Sequence, residues 1–233
     1  GAVAIRAGRI VDVGELPDAA ADVEIDATGL AVCPGFIDPH NHAHVDVDKD
    51  ILHEDNLVRQ GITTLVAGNC GRSGWPVGEH LDKVDRLGMK QNYAMLAGHG
   101  TLRKVLLGDN QAQFLDPWQI RALQKLVDQA MDAGAFGVAA GYMRPYATND
   151  ELFAFARAAG RRGGLYASHI RSESRHLLQA IAEIIELAQH AETPIQISHL
   201  KTMDAPNWNK LDSVFHLIDD AVARGLQVCA DRY

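Results

Sequence analysis

The sequence has few aromatic residues, few cysteines and no long uninterrupted apolar stretch. Its apolar runs are broken by Gly, Asp or His well short of the ~20 residues that a membrane-spanning helix needs. Positive charge is also scarce, since 22 Lys and Arg stand against 30 Asp and Glu and give a formal net charge of −8. Nucleic acids and anionic membrane surfaces select for basic patches. We therefore expect neither a nucleic acid nor a membrane as a partner.

The three cysteines, Cys33, Cys70 and Cys229, lie far apart in the sequence. They cannot all pair with one another, which argues against a disulfide-stapled secreted domain and favours the cytoplasm. Histidine, by contrast, is abundant, with 11 residues. The remaining composition, 47% hydrophobic and 22% charged, is typical of a globular protein. No feature of the sequence predicts an oligomeric state.

The pattern of apolar residues changes near Pro34 and predicts two domains. Residues 1–34 are rich in Val, Ile and Ala with Gly and Pro between them, which indicates short antiparallel strands. In residues 35–233, β-branched runs alternate with amphipathic helical stretches, as in βα units around a parallel sheet. Seven strands are predicted: Gly35–Ile37, Ile62–Ala67, Asn92–Ala97, Phe136–Ala140, Leu165–Ser168, Ile195–Ser198 and Val228–Ala230.

Both ends of the chain fall inside strand-like sequence, and no helix follows the last predicted strand. We therefore expect an internal piece of a longer protein, with a natural chain that has processed ends as the alternative. Seven βα units fit either an open doubly wound sheet or most of a (β/α)8 barrel. The Gly-x-Gly-x-x-Gly turn of dinucleotide-binding sheets is absent after the first strand. The fold class predicted is α/β, a TIM-like barrel without its last strand.

Metal-binding residue types follow four of these strands. His40 and His42 follow the first, Cys70 the second, His169 the fifth and His199 the sixth. Reactive side chains of a barrel gather at the carboxyl ends of different strands, and imidazole and thiolate are ligands that zinc prefers. Two residues apart on an extended segment, His40 and His42 are expected to face the same way.

Each of these residues also has an ordinary structural interpretation. Cys70 alone fits a small buried apolar side chain, and His169 or His199 alone fits a hydrogen-bonded core histidine. Four strands that place such residues at one end of a barrel favour a metal site over these separate readings. The other histidines are interpreted mostly as surface or supporting residues, with His99, at the end of the third barrel strand, as the exception.

Seven segments together resemble the amidohydrolase superfamily, and more closely its D-aminoacylase (N-acyl-D-amino-acid deacylase) branch. They are Pro34–Asp38, Gly61–Thr64, Gly68–Gly71, Gly98–Arg103, Ala167–Glu173, Gln196–Lys201 and Ala230–Tyr233. The resemblance covers nearly the whole chain. It implies an amidohydrolase-type barrel, with residues 1–34 belonging to a small β-sandwich domain.

The resemblance also implies roles for individual residues. His40 and His42 would bind one metal position, and Cys70, His169 and His199 would form a tighter Zn²⁺ site, with the first position weaker. Lys201 would bind the carboxylate of an N-acyl amino acid, unless it is simply a solvated lysine. Two further substrate-binding candidates are Arg103 and Arg144, the latter standing where the family usually has Tyr. The family's catalytic Asp is expected beyond Tyr233.

The expected activity is zinc-dependent hydrolysis of N-acyl-D-amino acids to a carboxylate and a free D-amino acid. One alternative is an amidohydrolase acting on cyclic amides or ureas, whose relatives carry a lysine on the fourth barrel strand. The fourth predicted strand, Phe136–Ala140, has none. A second alternative is a metal-binding relative or fragment without catalytic activity.

Overall fold

The computed structural model describes residues 1–16, 20–49, 55–141 and 146–233. The chain forms two compact units, Gly1–Gly35 and Phe36–Tyr233. In the first, strands β1 (Ala2–Arg6) and β2 (Arg9–Gly14) pair as an antiparallel hairpin. Positive φ at Ala7 (49°) and Gly8 (72°) turns the chain between them. The described residues of this unit form no second sheet, so the β-sandwich stays a prediction.

The second unit contains a seven-stranded parallel sheet in which the strands follow one another in sequence order. The strands are β3 (Phe36–Asp38), β4 (Ile62–Ala67), β5 (Asn92–Gly98), β6 (Gly137–Ala140), β7 (Leu165–Ser168), β8 (Ile195–Ile197) and β9 (Val228–Ala230). All seven predicted strands are confirmed, with ends that differ by one residue at most. Sequential parallel order is the topology of a TIM barrel. In the described residues the sheet ends at β3 and β9, without the eighth strand of a closed barrel.

Helices connect these strands and cover the sheet. They are α1 (Ala43–Asp48), α2 (Asp55–Val58), α3 (Val77–Leu87), α4 (His99–Leu107), α5 (Pro117–Asp132), α6 (Asn149–Gly160), α7 (Leu177–Ala191) and α8 (Leu211–Ala223), with a 3₁₀ turn at Ala205–Lys210. The sequence at the N-terminus of α5 explains why this helix begins where it does. The Asp116 carboxylate accepts from the amides of Trp118 and Gln119, both at 2.8 Å, and Pro117 occupies the first turn.

Alternation along the strands separates two apolar layers. Ala97, Val138 and Tyr166 pack in the main core, which contains the buried faces of the helices. Their neighbours Leu96, Ala139 and Ala167 form a separate small cluster, because successive strand residues point to opposite faces. Because the strands are parallel, the carboxyl ends of all seven lie at one edge of the sheet.

Within the described ranges, no helix combines the length and apolar character needed to cross a bilayer.

Candidate metal site

His40 and His42 lie in a turn that leads from β3 into α1. The Asp38 carboxylate fixes this turn, since it accepts from the His40 amide at 3.1 Å and from Asn41 Nδ2 at 2.8 Å. His42 occupies the position before α1 with φ −113° and ψ 21°. The expectation that the two histidines share an extended segment is therefore wrong, because the strand ends at Asp38. The turn still brings both Nε2 atoms to Cys70 Sγ, at 3.3 Å and 3.4 Å.

Cys70 lies in a tight loop after β4 that other backbone segments hold in place. The side-chain Nδ2 of Asn69 donates to the carbonyl oxygens of Val66 at 2.8 Å and Pro39 at 3.3 Å. Cys70 itself has φ 59°, a left-handed conformation that costs a non-glycine residue energy and is common at functional sites. Gly141 packs directly on this loop, and a Cβ there would overlap the Cys70 carbonyl oxygen. The glycine is needed for this close approach.

His169 and His199 complete the group from the ends of β7 and β8. His169 Nε2 lies 2.6 Å from Cys70 Sγ, and His199 Nε2 lies 2.7 Å from His169 Nδ1. His199 also has a left-handed backbone, with φ 42°. Its amide donates to Asp231 Oδ1 at 2.6 Å, which holds the residue in this conformation. Asp231 directly follows β9 and also lies 3.4 Å from His40 Nδ1.

The structure therefore brings together all five residues proposed as metal ligands, which we call the His–Cys cluster: His40, His42, Cys70, His169 and His199. Ligand atoms of His40, His42 and Cys70 lie within 4.8 Å of one another. Cys70 contacts histidines of both expected metal positions, so its assignment to the tighter one stays a prediction. Soft sulfur and imidazole nitrogen in this number fit zinc.

The histidines of the cluster differ in their protonation. Burial lowers the pKa of His169 to about 4, and burial likewise lowers the pKa of His42. Both are neutral near pH 7, the form in which imidazole binds a metal ion. The hydrogen bond with Asp231, followed by that with Cys70, raises the pKa of His40 to about 9. His40 is therefore protonated near pH 7 and has to lose its Nε2 proton to bind a metal ion.

Lys201 lies beside the His–Cys cluster, as its predicted role requires. Its Nζ is 3.1 Å from His199 Nδ1 and 2.6 Å from Glu173 Oε2, and it lies 5.1 Å from the centre of the Tyr233 ring. Burial alone would lower the pKa of Lys201, but the hydrogen bonds with Glu173 and Tyr233 outweigh it and raise the pKa. The Lys201 side chain is 21% exposed and its ammonium is charged, so it can meet an anionic group that enters from solvent.

The two arginines proposed as substrate contacts differ from Lys201. Arg103 is buried, and its guanidinium donates to Glu151 at 2.5 Å and to the carbonyl oxygens of Gln111 and Gln113 at 2.9 Å and 2.5 Å. These contacts give Arg103 a role in fixing a loop, and they include no member of the His–Cys cluster. Arg144 lies outside the described residues. Binding of substrate by either arginine stays a prediction.

Sequence reasoning gave no role to two carboxylates that contact the cluster, Glu173 and Asp231. Glu173 Oε1 contacts His199 Nδ1, and Asp231 joins His199 to β9. The sequence could have indicated both, because Glu173 follows His169 by four residues and Asp231 directly follows the last predicted strand. Carboxylates commonly orient metal-binding histidines. Of the two interpretations given for His44 and His80, surface or supporting, their burial contradicts the first.

Comparison with known proteins identifies the class to which this sheet and this cluster belong. The model of the amidohydrolase family matches residues 23–228, and the chain belongs to that family. It is 33% identical to D-aminoacylase of Alcaligenes xylosoxydans xylosoxydans over 249 residues, which cover 94% of this chain and 50% of that protein. N-acyl-D-glutamate deacylase of the same organism is 35% identical over 257 residues, 99% of this chain and 52% of the relative.

A solved structure agrees with these relatives. N-acyl-D-glutamate deacylase from Bordetella bronchiseptica, complexed with zinc and a phosphonate inhibitor, superposes with a TM-score of 0.85 at 31% identity. The alignment covers 99% of this chain and 54% of that one. The resemblance to the D-aminoacylase branch is confirmed. The chain spans about half the length of the curated relatives that it matches.

Proposed function

We propose that the native protein carrying this sequence is a zinc-dependent hydrolase that cleaves the amide bond of N-acyl-D-amino acids. The observation that carries the proposal is the convergence of Cys70 with histidines from three other strand ends, beside a charged lysine. The names of the relatives support the substrate class, since they include D-aminoacylase and the deacylases of N-acyl-D-aspartate and N-acyl-D-glutamate.

The His–Cys cluster would hold the metal. Cys70, His169 and His199 form the proposed tight position, and His40 and His42 form a second, weaker one. When bound, zinc supplies Lewis-acid polarisation of a carbonyl and an activated water near neutral pH. The neutral state of His169 supports this assignment.

Lys201 would bind the α-carboxylate of the substrate and so place the acyl amide next to the metal. An ammonium beside the cluster distinguishes N-acyl amino acids from simple amides, because only the former carry a carboxylate at the required position. The substrate-binding roles of Arg103 and Arg144 are secondary proposals, and an arginine at 144 would favour an acidic side chain or acyl group.

A proton must also pass from the attacking water to the leaving amine. We assign this general acid–base step to an Asp on an eighth barrel strand, which the native protein would supply beyond Tyr233 together with the rest of its barrel and β-sandwich. Strand β6 carries no lysine, so nothing in it favours the cyclic-amide alternative.

The experiment compares zinc content and hydrolysis of N-acetyl-D-amino acids in the native protein and in Cys70→Ala. We expect bound zinc and turnover in the wild type. The variant should lose tight zinc and at least about 1000-fold in kcat/KM, because metal stabilisation of several kcal/mol corresponds to that factor.

Cys229→Ala is the matched control, since this cysteine is exposed and takes no part in the cluster. It should keep the zinc and the activity. Activity that survives both Cys70→Ala and removal of zinc by a chelator would contradict the proposed mechanism. Wild-type protein that binds zinc but hydrolyses no N-acyl-D-amino acid would contradict the proposed substrate.

A further inference from the structure

We propose that Glu173 is a positioning residue that decides which nitrogen of His199 carries the proton and holds the Lys201 ammonium in place for substrate. This inference deepens the proposed function and rests on it for the roles of His199 and Lys201. One carboxylate would thereby set both the metal position and the carboxylate-binding position of the same site.

The geometry places Glu173 between two donors. Its Oε1 contacts His199 Nδ1 and its Oε2 lies 2.6 Å from Lys201 Nζ. The Glu173 side chain is only 13% exposed, so water competes weakly for these contacts. Its backbone carbonyl accepts from the amide of Met203 at 2.7 Å, which anchors the residue to the segment that follows His199.

A carboxylate can only accept hydrogen bonds, so the contact of Oε1 with His199 Nδ1 favours one tautomer of the imidazole. In that tautomer Nδ1 carries the proton and the lone pair is left on Nε2. That Nε2 faces the His–Cys cluster, 2.7 Å from His169 Nδ1. Carboxylates of this kind select the tautomer and orientation of metal-binding histidines.

Lys201 offers the competing arrangement. Its Nζ lies 3.1 Å from the same His199 Nδ1 and can only donate. Without the Glu173 carboxylate, the ammonium would donate to Nδ1 and the imidazole proton would move to Nε2. His199 would then present N–H to the metal position, and the Lys201 ammonium would be held by the imidazole ring instead of by Glu173.

Glutamine at position 173 is the informative change because it keeps the size but has only one acceptor atom. Whichever way the amide turns, its NH₂ group faces a donor, His199 Nδ1 or Lys201 Nζ. We expect Glu173→Gln to weaken zinc binding by about 10- to 100-fold, the range found when a partner of a metal ligand is removed. The matched control is Glu183→Gln, whose carboxylate pairs with Arg171 at 2.7 Å and contacts neither group.

Two measurements on the native protein test the proposal. The zinc dissociation constant is obtained by competition with a chromophoric chelator. Steady-state kinetics then compare an N-acetyl-D-amino acid with its carboxamide, which lacks the charge that Lys201 would bind. Glu173→Gln should bind zinc more weakly and prefer the carboxylate substrate less, whereas Glu183→Gln should match the wild type in both.

A third variant separates positioning from mere structural support. Because the loss is expected to act through Lys201, adding Lys201→Met to Glu173→Gln should restore most of the zinc affinity although the substrate anchor is gone. If Glu173→Gln does not fold, Glu173→Asp and Glu173→Asp with Lys201→Met are compared in the same way, since the shorter side chain cannot reach both donors.

Unchanged zinc affinity in the position-173 variant would overturn the proposal, and so would a loss that Lys201→Met fails to restore. The chelator competition needs no turnover. If the wild type hydrolyses neither substrate, the proposed function fails while the zinc measurements still decide the role of Glu173. If the wild type is active and the zinc affinities are unchanged, the proposed function stands and only this inference fails.

Discussion

Two groups of polar side chains lie at the carboxyl edge of the sheet, and they differ in how their charges are balanced. In the first, Glu151 is fully buried and lies 2.7 Å from His99 and 2.5 Å from Arg103. Burial would raise the pKa of Glu151, but the hydrogen bonds with His99 and Arg103 outweigh it and lower the pKa. The charges of Glu151 and Arg103 thus balance each other inside this buried triad.

The His–Cys cluster lacks that internal balance. Its imidazole nitrogens and one sulfur converge on each other, with His169 Nε2 2.6 Å from Cys70 Sγ and His199 Nε2 2.7 Å from His169 Nδ1. Lone pairs that meet in this way are stabilised by a shared proton or by a cation. The difference separates a group that closes on its own opposite charges, and so supports the fold, from a group of convergent nitrogen and sulfur atoms, for which we propose a cation as the missing partner.

The largest effect that tests this comparison is expected at the buried triad. Glu151→Gln leaves the buried Arg103 guanidinium without its counter-charge, and breaking a buried ion pair by removing one partner costs about 3–5 kcal/mol. We expect that loss in the free energy of unfolding, measured by urea denaturation of the native protein with saturating zinc.

Asp132→Asn is the control for Glu151→Gln. Asp132 pairs with Arg162 at 2.6 Å, but both side chains are largely exposed, so the cost should stay below about 1 kcal/mol. If both variants lost the same free energy of unfolding, burial would give the triad no special structural role. The triad could then no longer be described as the group that supports the fold.

Zinc should stabilise through the His–Cys cluster alone, which is the next largest effect. A ligand present at a free concentration of 100 times its Kd adds about 2.7 kcal/mol to the free energy of unfolding when it binds only the folded state. We expect this increment in the wild type and in Glu151→Gln alike, because distinct sites without shared partners add to within about 0.5 kcal/mol.

Cys70→Ala should show no such increment at the same zinc concentration. The measurement is urea denaturation with and without zinc for the three proteins. A zinc increment that disappears in Glu151→Gln would show that the two clusters are coupled, and their separation into a supporting and a binding group would have to be given up.

The sequence predicted the strands well because they depend on local patterns, and the parallel order of the strands brings the five proposed ligands to one edge. Runs such as Ile62–Ala67 are long and apolar enough to define a strand, and parallel strands must end at a common edge. The buried ion pair of Arg103 could not be predicted in this way. Its partner Glu151 is 48 residues away, on α6, and the pairing depends on how two helices pack.

The turn at His40 and His42 shows the same limit on a smaller scale. The spacing of the two histidines was informative, but the backbone between them is set by hydrogen bonds to the Asp38 carboxylate and not by strand geometry. The roles of Glu173 and Asp231 likewise depend on contacts between segments that lie about 30 residues apart. Sequence patterns therefore indicated which residues lie at the carboxyl edge of the sheet. The packing of distant segments decides which contacts each of these residues makes.

The smallest effect is expected at Asp231, where the supporting and binding roles meet. Its Oδ1 accepts from the His199 amide at 2.6 Å and lies 3.4 Å from His40 Nδ1, while Oδ2 accepts from Gln196 at 2.9 Å. Asp231→Asn keeps one oxygen for the His199 amide, and Gln196 can turn its own amide to meet the new NH₂ group. What is lost is the negative charge beside His40.

We therefore expect Asp231→Asn to weaken zinc binding by about 10-fold, or ~1.4 kcal/mol, the lower end of the range for partners of metal ligands. The same chelator competition measures it, with the exposed Asp219→Asn as control. The free energy of unfolding without zinc should change little, because the hydrogen bonds are kept. A large loss of stability with unchanged zinc affinity would instead place Asp231 with the buried triad, as a residue that supports the fold and not the metal.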